Sequence, residues 1–197
     1  MNSHLYNFGE IMNSTSLELE NWKLGDTSEK YESARRGPGT ISNGRGDKGG
    51  KSYGTFQLSL GAGTLNDFLQ SNQHGHYADQ FNNIELGSSQ FDKKWKELAI
   101  SDPQFKENQY QFIKDSHYER QMLNLQENGI PLASRGPAIQ DLVWSTATQY
   151  GQLTTPIFQK TIAHAGLNPL QAQQLTDLDL IVKVQQYKKD HVSEHFA

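Results

Sequence analysis

Three observations predict a predominantly helical α+β domain. Apolar residues recur at helical spacing from residue 63 onward, a stretch at 37–54 holds seven glycines and one proline in eighteen positions, and β-prone residues close that stretch. Such a glycine density excludes regular structure and marks a shaped loop. With a small β-hairpin or sheet beside it and helices around it, the loop outlines a cleft. A chain of 197 residues is long enough to bury a core without disulfides or structural metal. It holds no cysteine, which excludes thiol catalysis, Cys-ligated zinc and iron–sulfur clusters and leaves carboxylates, histidines and hydroxyls to carry any chemistry. Its 18 Lys and Arg against 22 Asp and Glu, a net charge of -4, offer neither a nucleic-acid footprint nor a membrane-surface stripe.

Residues 1–25 scatter Leu5, Phe8, Trp22 and other apolar side chains through a polar background, and read as an N-terminal arm or linker; the domain is expected over 26–197. The first twenty residues lack the basic start and apolar run of a secretory signal, so reaching a target outside the cytoplasm would fall to other machinery. A cap at Asp26 or Thr27 precedes a short helix through Arg35, stopped by Gly37-Pro38-Gly39. Glu32 falls in its last turn, where the negative end of the helix dipole disfavours ionisation. After the glycine loop, Tyr53, Thr55 and Phe56 have strand propensity, and Gly54 among them permits a close backbone approach.

Helices follow over 63–69, 77–84 and 90–100. Asp102-Pro103 opens a longer one that runs to the Gly129-Ile130-Pro131 break. The clearest begins at Gly136-Pro137, with Ile139, Leu142, Val143, Thr146, Ala147 and Tyr150 along one buried face. Thr154-Thr155-Pro156 starts the next, through Ala165. Thr176-Asp177-Leu178-Asp179 reads as a capping box for a last helix with Leu178, Ile181 and Val182 as its apolar residues.

Three segments carry a recognisable pattern: Glu32-Ser33 at a helix end, Gly54-Thr55-Phe56-Gln57 downstream, and a helix closing on Trp144-Ser145-Thr146-Ala147-Thr148-Gln149-Tyr150-Gly151. The pattern resembles the lysozyme-like superfamily, in particular its goose-type lysozyme and soluble lytic transglycosylase branch. GPGTIS, GDKGGKSYGTFQLS and VWSTATQYG look closest to the lysozyme-like domains of phage tail and type VI secretion proteins. The resemblance spans roughly residues 27–190. It implies a muramidase that cuts the β-1,4 bond between N-acetylmuramic acid and N-acetylglucosamine, with Glu32 as the acid. It implies peptidoglycan glycan strands as partner, delivery to the cell wall by a secretion apparatus or phage machinery, a cognate immunity protein, a monomer, and no cofactor.

Glycosidic hydrolysis needs a carboxylic acid still protonated near neutral pH, and an inverting enzyme needs a second carboxylate roughly 6.5–9.5 Å away to activate water. Asp47, fifteen residues beyond Glu32, is the one carboxylate on the glycine loop. It is the candidate base, although Asp-Lys-Gly-Gly is also good turn chemistry. Lytic transglycosylases work with a single acid, so this second carboxylate favours hydrolysis. Ser52, Tyr53, Gln57 and Gln149 offer groups that could hold sugar hydroxyls and acetamido groups. Tyr150 ends its helix, so its hydroxyl can reach the cleft while its ring packs, and Trp144 belongs in the core or at the cleft wall. The alternatives are a lytic transglycosylase, a glycosidase for glucosamine polymers, and a non-catalytic wall-binding module of a phage tail or secretion spike. His74-Gly75-His76, the densest of the histidine clusters, has no third ligand at metal spacing and reads as a solvated loop, so no metal is expected.

Overall fold

The computed structural model describes residues 22–25, 37–44 and 50–191. The helix expected up to Arg35 and the loop tip at Asp47 lie outside the described residues. Within them the chain is predominantly helical, with one small antiparallel sheet in the order β1-β2-β3. Its strands are β1 (Ile41–Ser42), β2 (Ser52–Tyr53) and β3 (Leu58–Ser59), and Ile41 faces Tyr53, which in turn faces Leu58. Thr55 and Phe56, read from propensity as strand residues, instead lie in the four-residue turn that links β2 to β3. Gly54 (φ 78°) and Gln57 (φ 53°) both sit in the left-handed region, which ends the strand before propensity can extend it.

The helices are α1 (Thr64–Gln70), α2 (Ser89–Ser101), α3 (Phe105–Ile113), α4 (Arg120–Glu127), α5 (Pro137–Tyr150), α6 (Thr154–His164), α7 (Pro169–Gln173) and α8 (Asp177–Asp190). The helix expected over 77–84 is reduced to one 3-10 segment, Tyr77–Phe81. Asp102 does act as a start signal, since its Oδ1 accepts the Gln104 N–H at 2.8 Å, but Pro103 lies in a turn and α3 begins two residues later. α3 and α4 form one rod over 105–127, interrupted by a π-helical stretch at Lys114–Glu119.

Apolar burial divides into two cores. The first is aromatic: Trp95, Phe68, Phe91, Phe105 and Tyr53 are sealed from solvent, with Phe105 edge-on to Trp95 at 4.7 Å between ring centroids. The second gathers Leu125, Ile139, Val143, Ile157, Phe158 and Val184. α5 belongs to both, because it gives Trp144 to the first and Ile139, Leu142 and Val143 to the second. Asp141, Ser145 and Thr146 are buried too, so α5 is enclosed on nearly every side rather than along one face.

On α8 the packed residues are Leu180, Val184, Tyr187 and Lys188, whereas Leu178 and Val182 are 69% and 58% exposed. Of the apolar triplet read from the sequence, Ile181 packs against the second core, whereas Leu178 and Val182 face away from it. The cap itself is present, with Thr176 Oγ1 accepting the Asp179 N–H at 3.1 Å. His74 also differs from its reading as a solvated residue: it is buried, edge-on to Phe112, with Nε2 3.2 Å from an Asp115 carboxylate oxygen.

Candidate active site

The glycine-rich stretch is shaped by one amide. Gln109 is fully buried on α3, on the same face as Phe105, Phe112 and Ile113. Its Oε1 accepts the Thr55 N–H at 3.1 Å and its Nε2 donates to Pro38 O at 3.2 Å. Trp95 Nε1 donates to the same carbonyl at 2.8 Å. One side chain thus fixes the start of the glycine loop and the turn after β2, and a Cβ on Gly54 would lie 2.2 Å from Gln109 Oε1. The close approach expected at Gly54 is made by this glutamine.

Both segments that carry the carboxylate candidates leave from fixed feet. Residues 26–36, with Glu32, run between Gly25 and Gly37. Asp141 of α5 clamps the first foot: its carboxylate accepts the Gly25 N–H at 2.9 Å and Trp22 Nε1–H at 3.2 Å. Gly25 lies flat on Trp144, where a Cβ would come within 2.7 Å of the indole. Residues 45–49, with Asp47, run between Gly44 and Gly50 inside the β1–β2 connection, and a Cβ on Gly44 would fall 2.2 Å from Gly50 O. Glu32 and Asp47 themselves are outside the described residues.

Beneath β2 a charged network stiffens the wall. Lys51 Nζ reaches Asp92 Oδ2 at 2.7 Å and Gly87 O at 2.8 Å, and Tyr53 donates its hydroxyl proton to Asp92 Oδ1 at 2.7 Å. Partial burial pulls the Asp92 pKa upward, but hydrogen bonds from Lys51 and Tyr53 and the nearby lysine charges outweigh it and hold the carboxyl below its ordinary value. Burial, then the same carboxylate, pushes the Tyr53 phenol far up. Within the same aromatic core, Trp144 stacks on Tyr110 at 5.2 Å and meets Phe56 edge-on at 5.9 Å. Among the described residues, its Nε1 and the Thr55 hydroxyl are buried without a hydrogen-bond partner.

The expected substrate contacts fare unequally. Tyr53 is fully buried between Phe91 and Trp95 with its hydroxyl held by Asp92, so it is scaffold and cannot meet a ligand. Ser52 is nearly buried in β2, and its N–H donates to Ser42 Oγ at 3.2 Å. Gln57 closes its own turn by donating Nε2–H to Gly54 O at 3.0 Å, and stays half-buried. Gln149 is exposed on the last turn of α5. Tyr150 is 8% exposed, Lys188 Nζ lies 5.2 Å from its ring centroid, and burial raises its pKa. The structure therefore brings Ser52 and Gln57 together around the sheet and sets Gln149 and Tyr150 at the far end of α5. Sequence reading missed Gln109 and Asp141, and both had a signal: each is a polar residue placed among apolar positions of a helix.

Comparison with known proteins decides the family. The model of the family described as Type VI secretion system spike protein VgrG3-like, C-terminal, matches residues 24–197. The chain belongs to this family. The type VI secretion system spike protein VgrG3 of Vibrio cholerae serotype O1 is 41% identical over 168 residues, which are 85% of this chain and 16% of that protein. The chain thus spans about one sixth of that relative's length. These matches correct the resemblance drawn from the three motifs: they place the chain with the C-terminal region of spike proteins and not specifically with the lysozyme-like superfamily. Every described element of the fold falls inside the matched range, including the feet of both carboxylate-bearing segments.

Proposed function

We propose that this spike-family domain is a muramidase, cleaving the β-1,4 bond between N-acetylmuramic acid and N-acetylglucosamine, with Glu32 as general acid and Asp47 as the base that positions water. One observation carries the reading: two glycine-bounded segments, each bearing one candidate carboxylate, spring from a single stiff frame made by Gln109, Asp141 and the sheet. Acid–base catalysis needs both groups held to a fraction of an ångström, and fixed ends limit where the two segments can run. In this reading 26–197 is the cutting domain and 1–25 an arm. In the same reading Ser52 and Gln57, beside the sheet, and Gln149 and Tyr150, at the end of α5, contact the glycan. The rest of a spike would carry the domain to the wall, and a cognate immunity protein would protect the producer. Glu32 protonates the leaving oxygen while Asp47 takes a proton from water on the opposite face, so the product has inverted configuration.

The deciding experiment is mass spectrometry of soluble products from purified sacculi. The expected products are disaccharide muropeptides with reducing muramic acid ends. Anhydromuramic ends as the main species would make the domain a transglycosylase, and no release at all would leave it a binding module.

A further inference from the structure

Between α6 and α8 lies a half-open pocket of about 290 Å³ lined by no residue of the expected catalytic set. Its floor holds the buried Thr161 and Tyr187, and Ala165 and Val182 give it apolar walls. The floor is rigid: Tyr187 stacks on His191 at 4.2 Å and 15° between rings, and His164 stands edge-on to Tyr187 at 6.2 Å. Three polar residues of α8 line the pocket at helical spacing, Lys183, Gln186 and Asp190. Gln186 Nε2 donates to both Asp190 carboxylate oxygens at 2.8 Å, which fixes the carboxylate's direction. Lys183 makes no ion pair among the described residues. Seven residues of helix separate the two charges by about 10.5 Å, too far to neutralise each other. An apolar floor bounded by a cation at one end and an oriented carboxylate at the other is complementary to a ligand that carries both charges and an aliphatic body.

We propose that this pocket is a second binding site, taking a short zwitterionic peptide with its amine against Asp190, its carboxylate against Lys183 and its aliphatic part on Val182 and Tyr187. The stem peptides of peptidoglycan have this chemistry at their diamino acid, whose side chain keeps a free amine although the peptide's N-terminus is amide-bound to muramic acid, and naming them as the source rests on the cutting reading above. Peptide capture here would hold the domain on its polymer between cuts.

The test is amide NMR of the full chain titrated with a synthetic stem tripeptide that ends in a diamino acid, with the peptide-free disaccharide as the second arm. Shifts centred on Thr161, Ala165, Val182 and Gln186 are expected with the tripeptide and not with the disaccharide. Lys183→Glu is expected to weaken the tripeptide about tenfold, the loss of one partly exposed charge contact, while its spectrum reports an intact fold. Absent shifts, equal binding by Lys183→Glu, or the same shifts with the disaccharide would each overturn the proposal. Sacculus digestion by the wild type is read in parallel. Release without peptide shifts removes the second site alone, and peptide shifts without release remove the cutting reading alone.

Discussion

Replacing Gly54 by alanine tests the frame around the glycine stretch. The new Cβ would lie 2.2 Å from Gln109 Oε1 and 2.8 Å from its Cδ, at a residue whose φ is +78°. Left-handed backbone costs a non-glycine residue about 1–2 kcal/mol. The clash adds more, because Gln109 is fully buried and can move only by releasing the Thr55 N–H and Pro38 O that it bridges. A buried donor left without its acceptor costs about 1–3 kcal/mol. The sum is about 2–5 kcal/mol, or roughly 10 °C in Tm for a chain of this size. Gly63→Ala is the matched control: φ is +83° and nothing lies within 4 Å of the added Cβ. It should show the backbone cost alone, about 1–2 kcal/mol. Urea titration measures both, and a Gln109→Ala background completes the cycle, in which Gly54→Ala should fall to the cost of Gly63→Ala. Equal losses for Gly54→Ala and Gly63→Ala in the wild-type background would refute the role given to Gln109.

Other outcomes follow from the same structure. Glu32→Gln should abolish muropeptide release with circular dichroism unchanged, because it removes the proton at almost constant volume; near wild-type clearing would remove Glu32 from the mechanism. Asp47→Asn should cost several powers of ten in rate, with wild-type products released in the α configuration by anomeric proton NMR, whereas a fully active and merely less stable variant would make Asp47 a turn cap. Asp92 has a folded pKa below its ordinary 3.8, so its contribution to stability is complete above that value and lost as pH falls through the lowered one. Asp92→Asn should therefore lower Tm at pH 7 and flatten the acid limb of a Tm–pH curve; an unchanged acid limb would mean the network is inert. On α8, Leu178→Ser and Val182→Ser should each change stability by less than about 0.5 kcal/mol, and Leu180→Ala should cost about 2–5 kcal/mol. The reverse ranking in a denaturation series would restore the face read from the sequence.

The helices were legible where the period was long and the signals were local. α1 and α2 start and end within a residue or two of the ranges read from apolar spacing, and α5 and α6 of their glycine and proline signals, since those signals act through backbone groups a few residues away. The face of α8 was not legible. Leu178 and Val182 satisfy helical spacing with Ile181 as well as Leu180, Val184 and Tyr187 do, and only the position of the second core chooses between them. Thr55 and Phe56 failed for another reason: strand propensity describes side chains, whereas left-handed glycine and glutamine backbone ended the strand. The wall of the candidate site was half legible. Gly54 announced a close approach, but the partner, Gln109, lies more than fifty residues along the chain, and no local pattern reaches that far. Tyr53 looked like a sugar contact because a hydroxyl on a strand is chemically suited to one, and its burial depends on Phe91, Trp95 and Asp92, which come from a different helix.

Consecutive residues of α5 serve different masters. Val143 packs into one core and its neighbour Trp144 into the other, while Asp141 grips the segment that leads toward Glu32. A cut before α5 damages both halves: removing 137–191 takes Trp144 out of the aromatic core, and removing 22–113 leaves α5 with a bare Trp144. Melting should therefore proceed in one cooperative step, and protease nicks that open either half should release both. A domain of this kind keeps its interior whole or loses it whole, because one helix, α5, gives neighbouring side chains to both cores.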